Sequence, residues 1–345
     1  MRLIAHIGAQ KTATTYIQHS LFQNTDLLAE HGVYLPTSGR LELAPRSVCH
    51  HHLAWQYTDP ERFRPKVGGW DALREEVAGV DPETVLISSE GLGSMVYKHD
   101  KIGDLLRELN SVSDDVVVVL VVREQLALIN SSYAQAVKMF SSVGRFEDYA
   151  ARAIDRKWFD FDAAFSPWYH VSGLRFVVVP FSEFRETDPL VALLAAADVE
   201  VPIDRLTTID GELNTSLGPV GMEAARLLGR YLRGKHSNFS RREFAARKLY
   251  RVAAGHARDA GWCQDKFWGW TPELAEEAAT RLKPANDAFA QAVWAKDWDL
   301  PMPVDTPRCA EVLDDLDSAT LEDVYDFVFA MSARFERLRE RGERE

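Results

Sequence analysis

The sequence predicts an α/β protein whose central parallel sheet is flanked by helices and followed by a helical C-terminal region. Short apolar segments alternate with segments of helical periodicity from the N-terminus to about residue 200, which is typical of a parallel sheet covered on both faces. Residues 116–122 are almost entirely valine and leucine, as in a strand buried on both faces. Beyond residue 214 the strand signal disappears.

The individual elements follow from the same patterns. Apolar runs bounded by polar or turn residues predict strands at 2–7, 84–89, 116–122 and 174–180. Helical periodicity predicts helices at 14–30, 70–77, 102–109, 124–139, within 146–171, and at 190–197. The stretch 31–68 is rich in His, Pro and Gly and has little periodicity, so we expect loops with short helical pieces there.

The last third of the chain has only helical patterns. They predict helices at 218–232, 241–256, 272–294 and 321–341. We therefore expect an α/β core over residues 1–216 and a helical region over residues 217–345 that packs on this core.

Composition limits the classes of function. The chain has 345 residues, is 46% hydrophobic and carries a net charge of −12, which argues against a general nucleic-acid binder. It lacks an apolar run of the roughly 18 residues that a membrane span needs, and its N-terminus does not resemble a signal peptide. We expect a cytoplasmic protein with three reduced cysteines; peripheral contact with a membrane and the oligomeric state are left open.

One segment is strongly basic. Residues 226–251 contain nine Lys or Arg and a single acid, Glu243. This run could border an anionic nucleotide or an acidic polymer, or it could be a solvated helix face; the sequence does not decide between them.

The first predicted strand runs into a loop suited to phosphate. Small and hydroxyl residues with one lysine join this strand to the next helix, whose first N–H groups have no intrahelical partner and carry a partial positive charge. Such a turn binds anions. The lysine follows the glycine by three residues, unlike the late lysine of nucleotide triphosphatase loops. The expected anion-binding residues are Gly8, Gln10, Lys11, Thr12, Ala13, Thr14 and Thr15.

Two further strands end in chemically active residues. The strand at 84–89 ends at Glu90, and the strand at 116–122 ends at Arg123, with Ser131 eight residues later on the following helix. In an open parallel sheet, ligands bind beyond the carboxyl ends of the strands. If these strands are neighbours, we expect the loop, Glu90, Arg123 and Ser131 to converge on one site.

These motifs resemble those of the sulfotransferases that use 3′-phosphoadenylyl sulfate (PAPS), in their bacterial carbohydrate-type branch. The lysine loop matches the family's 5′-phosphosulfate loop, and Arg123 with Ser131 matches its second signature. The resemblance covers about the first 220 residues. It implies a P-loop-like sheet. The chain departs from many relatives in having Ala13 where they have Gly and Gln125 where they have Pro.

The resemblance implies roles for these residues. Lys11 would stabilise charge that develops during transfer of a sulfuryl group, and Arg123 with Ser131 would hold the 3′-phosphate of PAPS. Glu90 would be the general base that removes the proton from an acceptor hydroxyl, the alternative being a structural salt bridge. Asn214 resembles a late Asn-x-Ser element that caps a helix or reaches the cofactor.

Other residues are candidates for binding the acceptor. His51 and His52 belong to a run of three histidines without metal-ligand spacing, so we expect no metal there; they are candidates for orienting or deprotonating the acceptor, the alternative being partly exposed loop residues. The sequence leaves open whether Glu90 or a histidine of this run is the base. Gln135 and Lys138 share a helical face with Ser131 and are further candidates for acceptor contacts.

The expected activity is transfer of a sulfuryl group from PAPS to a hydroxyl of a small molecule or glycan, with release of adenosine 3′,5′-bisphosphate and without a metal. A saccharide or glycan precursor is the preferred acceptor. Two other classes of function remain open: a P-loop-type small-molecule kinase, which would need Mg²⁺ ligands and the late-lysine loop, and a non-catalytic nucleotide-binding module.

Overall fold

The computed structural model of the chain describes residues 1–9, 11–41, 47–95, 99–156, 159–171, 173–209, 217–237, 239 and 244–342. In this part of the chain, five parallel strands form one sheet in the order β2-β3-β1-β4-β5. The strands are β1 (Arg2–His6), β2 (Val33–Tyr34), β3 (Thr84–Ser88), β4 (Asp115–Val122) and β5 (Leu174–Pro180). The predicted α/β architecture with a parallel sheet flanked by helices is therefore confirmed.

Helices make up most of the remaining described chain. In chain order they are α1 (Thr14–Gln23), α2 (Thr25–Glu30), α3 (His51–Thr58), α4 (Trp70–Val80), α5 (Glu90–Met95), α6 (His99–Val112), α7 (Gln125–Lys138), α8 (Phe146–Asp155), α9 (Phe161–Tyr169), α10 (Pro189–Ala196), α11 (Gly218–Lys235), α12 (Phe244–Asp259), α13 (Pro272–Trp294) and α14 (Ser318–Gly342). None of the described helices is long and apolar enough to cross a bilayer.

The chain divides into two compact units. The first comprises Met1–Glu124, Asp160–Leu213 and Lys283–Pro301, and contains the whole sheet. The second comprises Gln125–Phe159, Asn214–Leu282 and Met302–Glu345. These units are made of separate chain segments, and the sequence-based division at residues 216 and 217 stays a prediction.

The core of the first unit surrounds the middle of the sheet. Every residue from Val116 to Val122 is buried, as the valine run predicted. On one face of the sheet, β4 packs with Ile17 and Leu21 of α1 and with Leu193 of α10. Alternate β4 side chains point to opposite faces, so only a strand covered by apolar residues on both sides accommodates this run.

One break in a helix and two short elements were not predicted. The expected helix at 14–30 is interrupted at Asn24, whose side-chain amide donates to the carbonyl oxygens of Ser20 (2.8 Å) and Thr207 (3.0 Å). The edge strand β2 has two residues, and α5 has six. Such short elements have too few residues for a periodic pattern.

A carboxylate fixes the segment after β2. Glu76 of α4 accepts hydrogen bonds from the Tyr34 hydroxyl (2.7 Å), the Thr37 N–H (2.7 Å) and the Ser38 N–H (2.8 Å). Burial raises the pKa of Glu76, but these hydrogen bonds outweigh burial and lower it to about 2. The loop at 35–41 is therefore anchored, although the sequence has no periodic pattern there.

The second unit is helical and explains part of the basic run. Arg226 forms a buried ion pair with Glu223, one turn earlier on α11. Arg230 donates to the carbonyl oxygen of Val143 (3.0 Å), and Arg233 to that of Phe140 (2.8 Å). These arginines bind carbonyl groups just beyond the end of α7, where cations are favourable. Arg226, Arg230 and Arg233 of the basic run therefore make structural contacts within the second unit.

Candidate functional site

The carboxyl ends of β3, β1 and β4 lie side by side in the first unit. His6, the last residue of β1, is level with Ser88 on one side and Val119 on the other. The Ser89 N–H donates to the carbonyl oxygen of His6 (2.9 Å), and the Ile7 N–H donates to that of Val119 (3.0 Å). The sheet thus brings the β1–α1 loop and the residues after β3 to the same edge, where parallel sheets bind ligands.

The β1–α1 loop has an unusual backbone. Lys11 (φ 66°) and Ala13 (φ 59°) both adopt left-handed conformations, and the Thr12 hydroxyl donates to the carbonyl oxygen of Ala9 (2.6 Å). A left-handed residue other than glycine costs about 1–2 kcal/mol. Strain of this kind clusters at ligand-binding sites. Glycine adopts this conformation without strain, so Ala13 bears a cost that a glycine at this position would not.

Helix α1 begins directly after this loop with an open N-terminus. Ala13 is its N-cap residue, and among the described residues no side chain caps it. The first intrahelical hydrogen bond runs from the Ile17 N–H to the Ala13 carbonyl oxygen (3.0 Å). The N–H groups of the first turn are therefore available to an anion, and the helix dipole favours negative charge at this position.

Glu90 lies against this loop. It is the first residue of α5, and both the Thr14 side chain and the charge of Lys11 act on its carboxyl. Burial raises the pKa of Glu90, while Thr14 and Lys11 oppose this shift. The structure thus brings together Lys11, Thr14 and Glu90 of the predicted site, with a carboxylate whose proton affinity is higher than usual.

Two glycines permit this close approach. A Cβ on Gly8 would lie 2.8 Å from the Thr14 Oγ1 atom, and a Cβ on Gly93 of α5 would lie 2.3 Å from the Ile7 carbonyl oxygen. Both contacts are too short for a real side chain. Helix α5 can therefore lie against the backbone of the loop only because Gly93 has no side chain.

Arg123 follows β4, which extends past the level at which β1 ends. It lies four residues beyond Val119, the β4 partner of His6, which corresponds to about 13 Å along an extended strand. Its guanidinium carbon lies 5.0 Å from the centre of the Phe181 ring. Burial lowers the pKa of Arg123; the nearby charge of Glu124 opposes this shift, and that of Arg185 adds to it. An anion near Arg123 would be attracted by both of these positive charges.

The three consecutive histidines have different environments. His50 is fully buried: its Nδ1 accepts from the Ser88 N–H (3.0 Å) and its Nε2 bonds to the Pro36 carbonyl oxygen (3.0 Å). His52 is also buried, and its Nδ1 accepts from the Arg64 N–H (3.1 Å). His51 is half-buried and bonds through Nδ1 to the Ser89 Oγ (2.7 Å).

Burial dominates the protonation of these histidines. It lowers the pKa of His50 to about 4 and that of His51 to about 4. For His51, the charges of Arg62 and His52 lower the pKa further. Both rings are therefore neutral at pH 7. Since His50 and His52 are enclosed by protein, His51 is the histidine of this run that a ligand can best reach.

The other predicted site residues lie elsewhere or outside the described residues. Ser131, Gln135 and Lys138 are half-buried on α7 in the second unit, and their convergence with the loop stays a prediction. The Lys138 Nζ lies 5.6 Å from the centre of the Tyr250 ring, and burial lowers its pKa. Gln10 and Asn214 lie outside the described residues.

Sequence reasoning missed several residues of the candidate site. His6 is fully buried beneath the loop, with Nδ1 2.8 Å from the Ser88 Oγ, and burial lowers its pKa to about 4. The Ser89 Oγ is hydrogen-bonded to the His51 Nδ1, and Gly93 has no side chain that would collide with the backbone of the loop. The sequence Ser-Ser-Glu-Gly-Leu-Gly at 88–93 could have predicted this packing, since small residues around a lone acid indicate that two backbones approach closely.

The described residues contain no group of three or more His, Cys, Asp or Glu side chains placed to hold a metal ion. No protein-family model, curated protein or solved structure matches this chain. The site's geometry is consequently the basis for assigning a function. It combines a strained loop that carries a lysine, an uncapped helix N-terminus after it, a half-buried carboxylate against that loop, and two arginines whose charges act on each other near the end of the neighbouring strand.

Proposed function

We propose that this protein is a PAPS-dependent sulfotransferase that modifies a hydroxyl group, preferably on a saccharide or glycan precursor. One observation carries the proposal: Glu90 lies against the phosphate-type loop, close enough to Thr14 and Lys11 for both residues to act on the pKa of its carboxyl. A carboxylate beside an anion-binding loop repels the anion, so it calls for a catalytic explanation.

The anion-binding groups fit a nucleotide that has phosphates at two positions. Lys11 and the first N–H groups of α1 would bind the 5′-phosphosulfate. Arg123, with Arg185 close by, would bind the 3′-phosphate through a planar fork of donors. Arg123 lies about 13 Å along β4 past the level at which β1 ends, an offset that suits a second, separate phosphate.

The proposed role of Glu90 is that of general base. When bound, PAPS supplies a sulfuryl group joined to its 5′-phosphate through a bridging oxygen. The acceptor oxygen forms a bond to sulfur as the S–O bond to the bridging oxygen breaks and its electron pair stays on that oxygen. Glu90 takes the proton of the acceptor hydroxyl, and Lys11 offsets the negative charge on the bridging oxygen.

The raised pKa of Glu90 suits this role. A base works best when its pKa lies close to the operating pH, and burial shifts Glu90 in that direction. Thr14 would hold the carboxylate in the orientation needed for proton transfer. Nearby, the half-buried Trp55 ring offers an apolar surface for a sugar ring, and the Arg62 guanidinium carbon lies 3.9 Å from its centre.

The first test is a calorimetric titration with adenosine 3′,5′-bisphosphate, ATP and AMP, without added metal. We expect the bisphosphate to bind most tightly and Arg123→Ala to weaken it by about tenfold or more, since a charged hydrogen bond is lost. Arg175→Ala is the matched control: Arg175 lies on the neighbouring strand β5, paired with Asp198.

The other outcomes separate the rival functions. Preference for ATP that depends on Mg²⁺ would favour a small-molecule kinase and contradict the proposal. Tight bisphosphate binding without sulfuryl transfer from PAPS to any member of a panel of saccharides and phenols would favour a non-catalytic binding module. Failure to bind any of the three nucleotides would refute both the nucleotide site and the reaction.

A further inference from the structure

The Ser89 hydroxyl determines which nitrogen of His51 carries the proton. Two hydrogen bonds meet at the Ser89 Oγ: one from the Gly91 N–H (3.1 Å) and one shared with the His51 Nδ1 (2.7 Å). Ser89 is fully buried. Since Gly91 can only donate, the hydroxyl proton is satisfied when Ser89 donates to the His51 Nδ1.

The opposite arrangement is unfavourable. If the His51 Nδ1 carried the proton, it and Gly91 would both donate to Ser89, and the buried hydroxyl proton would have no acceptor among the described residues. A buried donor without an acceptor is destabilising. The neutral His51 ring therefore keeps its proton on Nε2, and its Nδ1 lone pair is occupied by Ser89.

Because the Nδ1 of the His51 ring faces Ser89, the Nε2 edge of the ring faces away from Ser89. His51 is the first residue of α3, and α3 packs tightly on α5, because a Cβ on Gly91 would lie 2.7 Å from the Ala54 Cβ. Ser89 immediately precedes Glu90, so the residue that orients His51 is adjacent in the chain to the proposed base. The ring is half-buried, so it is not closed off from a ligand, and its Nε2–H is the donor that it can offer.

We propose that His51, held by Ser89 as the Nε2–H tautomer, is a neutral hydrogen-bond donor to the hydroxyl-bearing acceptor and is not the base. This inference rests on the proposed sulfotransferase function. With its proton on Nε2 and its Nδ1 engaged, His51 has no lone pair to offer an acceptor hydroxyl. It can instead orient the acceptor oxygen, while Glu90 takes the proton.

The charged surroundings of the ring support this role. Arg62 and the neighbouring His52 both act against protonation of His51, and the ring also lies 5.3 Å from that of Trp55. A histidine that works as a general base becomes a cation during the reaction, and an adjacent cation opposes this change. A neutral donor does not change its charge.

The first arm of the test measures the tautomer without relying on any activity. In the protein labelled with ¹⁵N-histidine, long-range ¹H–¹⁵N spectra at pH 7 should show an unprotonated Nδ1 and a protonated Nε2 for His51, assigned with His51→Gln. Ser89→Ala should shift His51 toward a mixture of tautomers. A protonated Nδ1 in the wild-type protein would overturn the proposal.

The second arm measures sulfuryl transfer from PAPS to N-acetylglucosamine and to p-nitrophenol over a range of pH. We expect His51→Ala to raise the acceptor KM about tenfold, His51→Gln to restore most of this loss through its amide N–H, and His170→Ala to behave as wild type. The rise of kcat/KM with pH should remain in His51→Ala, whereas Glu90→Gln should show no transfer at any pH of the range.

The outcomes distinguish failure of this inference from failure of the proposed function. A pH rise that disappears in His51→Ala would make His51 the base, and unchanged kinetics in that variant would remove its role; either result contradicts the inference but not the sulfotransferase. Absence of transfer by the wild-type protein would refute the sulfotransferase and the role at the acceptor together, whereas the tautomer is decided separately by the spectra.

Discussion

The Thr14 side chain lies close enough to the Glu90 carboxyl to oppose the rise in its pKa that burial causes, although the two residues begin helices that follow two different strands. This contact ties the first residue of α1 to the first residue of α5. It is formed because β1 and β3 are neighbours in the sheet, with His6 level with Ser88. The phosphate-type loop and the proposed base therefore form one structural feature.

Replacing Lys11 tests the anion-binding half of the site. We expect Lys11→Ala to lower kcat by about 10²–10³, because an electrostatic group that stabilises charge in the transition state is lost. The free energy of unfolding should change little. The matched control is Lys283→Ala, which removes an exposed lysine paired with Asp287. Full turnover in Lys11→Ala would contradict the central role of this loop.

Replacing Glu90 tests the proposed base. We expect Glu90→Gln to abolish sulfuryl transfer while adenosine 3′,5′-bisphosphate still binds, because the amide keeps the shape and the contact with Thr14 but cannot take a proton. In the wild-type protein, kcat/KM should rise with pH as Glu90 loses its proton, at a pH above the usual range for Glu. Weakened bisphosphate binding with normal turnover at saturation would instead make Glu90 a binding residue.

Two separate variants, each with one glycine replaced by alanine, test how closely α5 packs on the β1–α1 loop. We expect Gly93→Ala to destabilise the protein by about 1–3 kcal/mol, because its Cβ would meet the Ile7 carbonyl oxygen and force a backbone shift. Gly103→Ala, on α6, is the control; its Cβ would meet nothing within 4 Å. It should stabilise by about 0.5–1 kcal/mol through helix propensity. Chemical denaturation measures both values, and equal effects would show that Gly93 is not a close contact.

The lowered pKa values of two buried histidines, His6 and His50, predict how the stability of the protein depends on pH. The folded protein holds the pKa of His6 and of His50 at about 4, below the usual 6.5, because burial disfavours the charged ring. The unfolded chain therefore binds more protons, so stability is constant above about pH 6.5 and falls as the pH drops toward 4. Each histidine contributes on the order of 3 kcal/mol to this loss.

Denaturation by guanidinium chloride at pH 7, 5.5 and 4.5 measures the effect, and the ring proton signals of His50 identify its source. We expect the midpoint to fall steadily and the His50 signals to remain those of a neutral ring until the protein unfolds. A midpoint that stays constant between pH 7 and 4.5 would show that these rings gain protons without cost in the folded state.

Much of the fold was predictable because it depends on local patterns. The valine run of β4 and the apolar residues of β1 and β3 predicted strands, and the loss of strand signal after residue 214 predicted helices. The two-residue β2 and the six-residue α5 lacked enough residues to show a period. Asn24 breaks the first predicted helix through contacts with Ser20 and Thr207, and the second partner is remote in the chain.

The candidate site was predictable to a similar extent. The residue types of the loop and the position of Glu90 after a strand indicated an anion site with an acid close by. The sequence did not indicate the left-handed Lys11 and Ala13, the bond between Ser89 and His51, or the second arginine near Arg123. These features depend on side chains from elements that are distant in the chain, which no local pattern records.

The sequence by itself determined which chemistry the chain can offer: a lysine in a small-residue loop, an acid at one strand end and an arginine at another. Only the tertiary structure decided which of these groups meet. The strand order β2-β3-β1-β4-β5 places the loop against Glu90, and a hydrogen bond joins His51 to Ser89, the residue before Glu90. The physical reason is that residue type sets charge and hydrogen-bonding capacity, whereas strand pairing and burial set distance, protonation and tautomer.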